Sequence, residues 1–331
     1  MQAQIEFVLQ HHLAFSLLAG FLLDCIVGDP HCLPHPVRFM GSLISFLERR
    51  LNKASDPAKI QRLKGFILVF CLISVTFLLS YGLIFAGRMI HPFLSFFFES
   101  LMCWNCIAAK SLYSESMKVC RELKKNDLNG ARKAVSMIVG RDTDVLDEKG
   151  VAKAAVETVA ENTSDGVVAP VFFIALFGAS GGMVYKAINT MDSMIAYKNE
   201  RFKNFGFCAA RLDDAANLIP ARFSAMLMIL SALILAVFPF KQRFLPVNAV
   251  KIFFRDRYKH ASPNSAQTES VVAGALGLQL AGDTVYEGKV EKKDFIGDAL
   301  REVEANDIFR SNLLMYAAAI LAIVISVWVR A

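Results

Sequence analysis

Apolar and polar residues fall into long blocks along this chain. Six apolar runs stand out, at about residues 13–27, 65–87, 89–109, 167–185, 223–240 and 311–329. A bilayer core of ~30 Å is crossed by about 20 helical residues. Run 65–87 supplies 23 residues without a charge, and runs 223–240 and 311–329 are also uncharged. Run 89–109 carries one acid, Glu99, and the shorter first run contains Asp24. Run 167–185 is interrupted by Gly178, Gly181 and Gly182. A soluble core could bury one such run but not six. The pattern predicts an all-α, polytopic integral membrane bundle in a single domain, 1–331, with helical loops between the spans. Broken backbone survives at membrane depth only where protein or water covers it, so the glycine-rich run is a candidate re-entrant segment.

The loops assign sides. Residues 30–64 hold Arg38, Arg49, Arg50, Lys53, Lys59, Arg62 and Lys64 against Glu48 and Asp56, whereas the turn between the second and third runs offers only Arg88. Basic loops stay in the cytoplasm. Residues 30–64, 110–166 and 241–310 are therefore expected inside and both termini outside. The stretch 167–240 leaves and rejoins one side, so either both of its runs span or neither does. The first run has no basic segment before it and no small-residue cleavage site after it, and is expected to remain in the mature protein.

Composition agrees with a membrane chain. Of 331 residues, 55% are hydrophobic and 20% charged, and the mean hydropathy is +0.42. Soluble domains sit near about 45–50% apolar and about 25% charged. The net charge of +6 is scattered at span ends, which argues against a nucleic-acid partner and for a lipid bilayer. Seven cysteines, an odd number lying mostly in or beside apolar runs, read as reduced thiols. Cys103 and Cys106 form an isolated C-x-x-C with no second pair.

The remaining polar residues gather in five packets beside the apolar runs. The first, residues 28–38, contains three prolines that stiffen it and could present Asp29, His35 and Arg38. His31 and Cys32 there fit no standard zinc spacing. The second runs from Arg141, Asp142 and Asp144 to Glu157, Glu161, Asn162 and Asp165. A helix from about 144 to 162, capped by Asp142 or Thr143, puts Glu157 and Glu161 on one face, where like charges repel unless a cation joins them. Lys153 offers an ordinary ion pair; Mg²⁺, which prefers oxygen ligands, offers a functional one. The third packet places Lys186, Asn189 and Asp192 at intervals of three, and the fourth gathers Arg211, Asp213, Asp214, Asn217 and Arg222. Acids at such depth mark a site or a cavity. The fifth, Ser262, Asn264, Ser265, Gln267 and Glu269, opens a helix suited to a phosphate at its start.

These packets resemble the CbiB/CobD membrane family of cobalamin biosynthesis, the adenosylcobinamide-phosphate synthases. The matching stretches are GDPHCLPHPVRFMG, VGRDTDVLDEKGVAKAAVETVAENTSDGVVAPVFF, YKAINTMDSMIAYKNERF, ARLDDAANLIPARF and SPNSAQTESVVAGALGLQLAG. Together they extend from Asp24 to about Gly282 in the family's order. The resemblance implies an amide synthase that joins (R)-1-amino-2-propanol, or its O-phosphate, to the f propionate of adenosylcobyric acid. ATP and Mg²⁺ are the expected cofactors, with the corrinoid as substrate. Carboxyl activation as an acyl phosphate requires cationic clamps and a positioned amine rather than covalent enzyme chemistry. The expected catalytic residues are Asp29, Glu157, Asp192 and Asp213. The expected metal ligands are Asp142, Asp144, Glu157, Glu161 and Asp165. Arg38, Arg141, Lys186, Asn189, Arg211, Asn217, Arg222, Ser262, Asn264 and Gln267 are expected to bind nucleotide and corrin. Other late corrin-pathway membrane enzymes are expected companions in the cell membrane, with the active site, including residues 186–222, on the cytoplasmic side. Two other classes share these features: a transporter of a corrinoid or small anion, and a non-catalytic relative resembling the AmpE sensory proteins. Intramembrane charge beside a broken helix suits transport, although no inverted repeat is visible.

Overall fold

The computed structural model describes residues 11–30, 35–197, 199–238, 244–286 and 288–330. His31 and Cys32 of the first packet lie outside the described residues. The protein is helical, as its blocks predict, with two small two-stranded ladders. Ala58–Ile90, Pro92–Lys124, Glu148–Ile195, Leu218–Val237 and Asn306–Arg330 are long and apolar enough to cross a membrane, and His12–Val27 is a shorter apolar helix. The chain belongs to the multi-pass membrane class. It divides into two compact units, one formed by residues 1–108, 169–217 and 323–331, the other by 109–168 and 218–322.

The first unit begins with α1 (His12–Val27), α2 (Pro36–Leu51), α3 (Ala58–Ile90) and α4 (Pro92–Cys106). Pro36 and Pro92 open α2 and α4, where a missing N–H costs nothing, and His35 and His91 cap them by accepting from the N–H of Val37 and Phe93. At 33 residues, α3 is about 50 Å long and exceeds the bilayer core. A Cβ on Gly20 of α1 would lie 2.5 Å from the Cβ of Cys103, so only glycine allows α1 to approach α4 this closely. The acids within the apolar runs are not exposed to lipid. Asp24 is fully buried, and Glu99 lies 3.4 Å from His12 and 3.3 Å from the Ser16 hydroxyl.

The glycine-rich run contains a break in its helix. Within α8 (Ala169–Ile195), Gly178 has φ 74° and ψ −178°, a conformation open essentially to glycine alone. The rings of Phe173 and Tyr185 stack at 4.8 Å, although twelve residues of straight helix would separate them by about 18 Å. The chain therefore folds back at Gly178 into a helical hairpin. The first limb ends at Phe177, nine residues into α8. The carbonyls at the end of that limb lack intrahelical donors. Arg330 fills the gap, donating to the carbonyls of Ala175 and, at 2.7 Å, Leu176. The second limb is tied to α9 (Phe207–Ala216) by a buried relay: the Tyr185 hydroxyl donates to Asn217 Oδ1 at 2.8 Å, and Asn217 Nδ2 donates to Asp213 at 3.0 Å. A bidentate pair joins Arg201 to Glu48 of α2 at 3.0–3.1 Å.

The second unit contains α5 (Ala109–Lys124), α6 (Leu128–Ser136), α7 (Glu148–Asn162), α10 (Leu218–Val237), α11 (Pro246–Asp256), α12 (Ser265–Leu276) and the start of α13 (Asn306–Arg330). Strand β1 (Leu280–Ala281) pairs antiparallel with β4 (Phe295–Ile296), and β2 (Thr284–Tyr286) with β3 (Lys289–Glu291). Some sequence boundaries shift. The cap of α7 is Asp147, which accepts from Gly150 N at 2.7 Å, rather than Asp142 or Thr143. Asp127 caps α6 in the same way, accepting from Gly130 N at 2.9 Å. A π-helical segment, Thr163–Val168, follows α7. The described cysteines are all free thiols, as expected.

Replacing Gly178 by alanine should cost about 1–3 kcal/mol because the side chain enters a strained backbone region. Gly82→Ala, in open space on α3, should be neutral or gain about 0.5–1 kcal/mol. Thermal unfolding in detergent, compared for the two variants, checks the hairpin.

Candidate functional site

The second unit contains a polar cavity of about 200 Å³ lined by Arg141, Glu157, Glu161, Asn162, His260, Glu269, Thr284 and Lys293 among others. Five of these come from sequence packets: Glu157, Glu161 and Asn162 from the C-terminal turns of α7, Arg141 from the loop before it, and Glu269 from α12. Successive turns of one helix face place Glu157 and Glu161 side by side, as their spacing predicts. The cation bonded to them is not Lys153, whose ammonium lies over the Phe295 ring at 5.2 Å. It is Arg141, whose Nη2 donates to Glu157 Oε2. Glu157 Oε1 accepts from the N–H of Ala281 at 2.7 Å. Both oxygens of this buried carboxylate are thus engaged, tying the loop at 141 and strand β1 to α7.

Glu161 is held differently. Ser265 at the start of α12 donates to its Oε1 at 2.9 Å. The expected phosphate-binding helix start is therefore occupied, at Ser265, by a bond to a carboxylate. One turn along α12, Glu269 faces the same cavity. Burial, reinforced by the charges of Glu161 and Glu157, pushes its carboxyl well above the usual range. Burial also lowers His260, whose Nδ1 accepts from Ser262 N at 3.1 Å. Beneath this loop, Asp256 receives Arg255 through two bonds of 2.7 and 2.8 Å, Lys259 at 2.9 Å and the N–H of Gly297 at 2.8 Å. These donors outweigh its desolvation and hold its carboxyl below the ordinary range. Gln267 is a clamp on the same loop, donating to the carbonyls of Arg257 and Pro263 at 3.1 and 3.0 Å.

The expected metal set does not converge. Of Asp142, Asp144, Glu157, Glu161 and Asp165, only Glu157 and Glu161 line the cavity. Asp142 accepts from Gly288 N at 2.8 Å, Asp144 is exposed beside a surface groove, and Asp165 lies in the π-helical segment. Among the described residues, no three His, Cys, Asp or Glu side chains are grouped to hold a metal ion. The reason is visible at Glu157, where Arg141 takes the place a cation would need.

The other expected residues are distributed over both units. In the second, Arg222 donates to the Leu218 carbonyl at 2.6 Å and reaches Asn264 Oδ1 at 3.5 Å, and Ser262 Oγ accepts from Asn264 N at 3.3 Å. In the first, Asp29 lies 3.3 Å from His35 Nε2, and Arg38 donates to the Pro30 carbonyl at 3.4 Å. Lys186, Asn189 and Asp192 are half-buried along the second hairpin limb, and Arg211 is exposed with its guanidinium 5.5 Å from the Phe207 ring. Asp213 and Asn217 form the buried relay to Tyr185.

Sequence reading missed His260, Thr284 and Lys293 and gave Glu269 no role. Glu269 had a signal, since it follows Ser265 by one turn in the fifth packet. Lys293 had none, because only the folding of the small ladders brings its region to α7.

A multi-pass helical membrane protein with a half-open, charged cavity is the class these features define. The CobD/Cbib protein family model matches residues 17–315. Cobalamin biosynthesis protein CobD of Clostridium perfringens is 42% identical over 315 residues, covering 95% of this chain and 97% of its own length. Cobalamin biosynthesis protein CbiB of Salmonella typhimurium is 41% identical over 311 residues, 94% of this chain and 95% of its own. CobD of Geobacter metallireducens is 42% identical over 310 residues, 94% of each chain. No solved structure matches. The chain belongs to the CobD/CbiB family, and its role lies in cobalamin biosynthesis.

Two substitutions test the electrostatics. Glu157→Gln leaves Arg141 without its counter-charge, and breaking such a buried pair costs about 3–5 kcal/mol; a marked fall in melting temperature is expected. Glu269→Gln should act oppositely. A carboxyl raised in the folded state favours folding while protonated and opposes it as pH rises through the folded value. The variant should therefore melt above the parent at alkaline pH, with the gap closing as pH falls toward the ordinary carboxylate range.

Proposed function

We propose that this cavity is the active site of an amide-forming synthase. It joins (R)-1-amino-2-propanol, or its O-phosphate, to the f propionate of adenosylcobyric acid, driven by ATP. The observation that carries the reading is the close placement of opposite charges, Arg141 and Lys293 with Glu157 and Glu161, around one space of about 200 Å³. That volume is far too small for a corrin ring. It suits the reacting ends alone: a propionate arm, an ammonium group and a phosphoryl group.

Within it, Lys293 draws the anionic groups in, while Arg141, already paired with Glu157, shapes the wall. Glu161 keeps one oxygen beyond its bond to Ser265, and that oxygen takes a proton from the ammonium; the freed amine attacks the acyl phosphate, the C–O bond to phosphate breaks as the C–N bond forms, and the second nitrogen proton leaves with the phosphate. Glu269, neutral in this setting, donates a hydrogen bond to a substrate oxygen. A Mg²⁺ arriving with nucleotide phosphates takes only one or two protein carboxylates rather than a closed cage. Glu161 fits that need and Glu157 does not. When bound, the ion would neutralise phosphoryl charge.

The cell membrane is the proposed location, with the cavity and residues 186–222 on the cytoplasmic side, where ATP is available. The hairpin at Gly178 supports this, because it returns the chain to the face it left. A cysteine at Asn204, in a background lacking native cysteines, should resist a membrane-impermeant reagent applied to intact cells. Strong labelling from outside would place the loop on the other face.

The direct test is an assay of purified protein with adenosylcobyric acid, aminopropanol or its phosphate, ATP and Mg²⁺. Corrinoid amide is the expected product, and Lys293→Met should lower kcat/KM by about 10²–10³. Folded protein that forms no amide with either amine would reject the reading.

A further inference from the structure

His260 is the cavity residue whose chemistry the backbone has already fixed. Its Nδ1 accepts the N–H of Ser262 at 3.1 Å. A ring nitrogen that accepts a hydrogen bond carries no proton, so the neutral imidazole keeps its proton on Nε2. The acceptor geometry is itself held in place. Gln267, fully buried, pins the carbonyls of Pro263 and Arg257 on either side of the loop, and Ser262 Oγ accepts from Asn264 N at 3.3 Å. Pro263, which has no N–H, stiffens the same turn. The ring lines the cavity, and the Nε2 proton is the donor it has left to offer there.

We propose that His260 is a fixed hydrogen-bond donor to an anionic oxygen of the bound substrates, carboxylate or phosphoryl, and not their general base. The phosphoryl and carboxylate identities rest on the synthase reading; the donor assignment does not. Base chemistry at Nε2 would demand the proton on Nδ1, setting two N–H groups against each other at Ser262. The lost bond disfavours that tautomer by about ten- to a hundredfold. The charged groups acting on the ring are Glu161, Glu291 and Glu157, opposed by Lys293. Burial outweighs the three acids and keeps the ring neutral, which preserves the donor and leaves Nδ1 to Ser262. His260 and Lys293 then form the anion-facing part of the cavity, with Glu161 as its cation-facing part.

The first test needs no substrate. Full-length protein labelled with ¹⁵N-histidine, in detergent at neutral pH, should give a His260 resonance pair with Nδ1 bare and Nε2 protonated, assigned by its loss in His260→Gln. An Nδ1-protonated ring or a doubly protonated ring would overturn the proposal. The second test uses the amide assay. His260→Gln, which puts an amide N–H near the position of Nε2, should retain kcat/KM within about tenfold, whereas His260→Met, of similar bulk and without a donor, should lose about 10²–10³. Equal loss in both variants, each shown to be folded, would mark a base and contradict the donor assignment. Absence of amide formation by the parent protein would defeat the synthase reading alone, and the resonance pair would still decide the role of His260.

Discussion

The carboxylate of Glu157 is the point from which the polar half of the molecule is organised. It is buried, and a buried charge must be both paired and hydrogen-bonded. Arg141 meets the first requirement and the Ala281 amide helps meet the second. Those partners come from opposite ends of the second unit's sequence, more than a hundred residues apart. Removing the carboxylate would release the loop at 141 and the strand at 281 together, and with them the walls of the cavity. Glu161, one turn away on the same helix, has only Ser265 as its described partner, so the two acids divide the work: Glu157 builds the space and Glu161 faces it.

A different constraint governs the apolar half. In hydrocarbon every backbone polar group needs an internal partner. The hairpin at Gly178 breaks a helix inside an apolar run and exposes the carbonyls that end its first limb. Arg330 supplies their donors, and the stacked rings of Phe173 and Tyr185 cover the fold-back. The cost of bending is thus met by a cation at a helix C-terminus, where the dipole favours it. The buried chain Tyr185–Asn217–Asp213 fixes the returning limb. This explains why acids so close to apolar runs are tolerated there without any appeal to chemistry.

Much of this was readable in advance, and the reasons differ by residue. Block hydropathy reports span and helix content because both depend on local sequence, so the membrane class and the all-α fold were legible. The Glu157–Glu161 face was legible because a helix repeats every 3.6 residues. The glycines of run 167–185 announced a break but not its direction, since reversal depends on the ring contact twelve residues away. The identity of the cation at Glu157 was not legible. Lys153 has the better local spacing, yet Arg141 reaches it through a loop. Lys293 was missed because pairing of the small ladders brings its segment to α7, and His260 because its loop is held to α7 through Ser265 and Glu161; no local period encodes either contact. The five proposed metal acids looked like one set because they are close in sequence; in space Gly288, Arg141 and solvent separate them.

On the proposed synthase reading, nucleotide phosphates and substrate ends meet in the cavity organised by Glu157. Photolabelling of the full-length protein with 8-azido-ATP and Mg²⁺, followed by peptide mapping, addresses that claim without relying on turnover. Label should fall on peptides from 138–162 and 257–297 and vanish with excess ATP. Protectable label confined to 12–106 or 169–217, with none in those peptides, would contradict it.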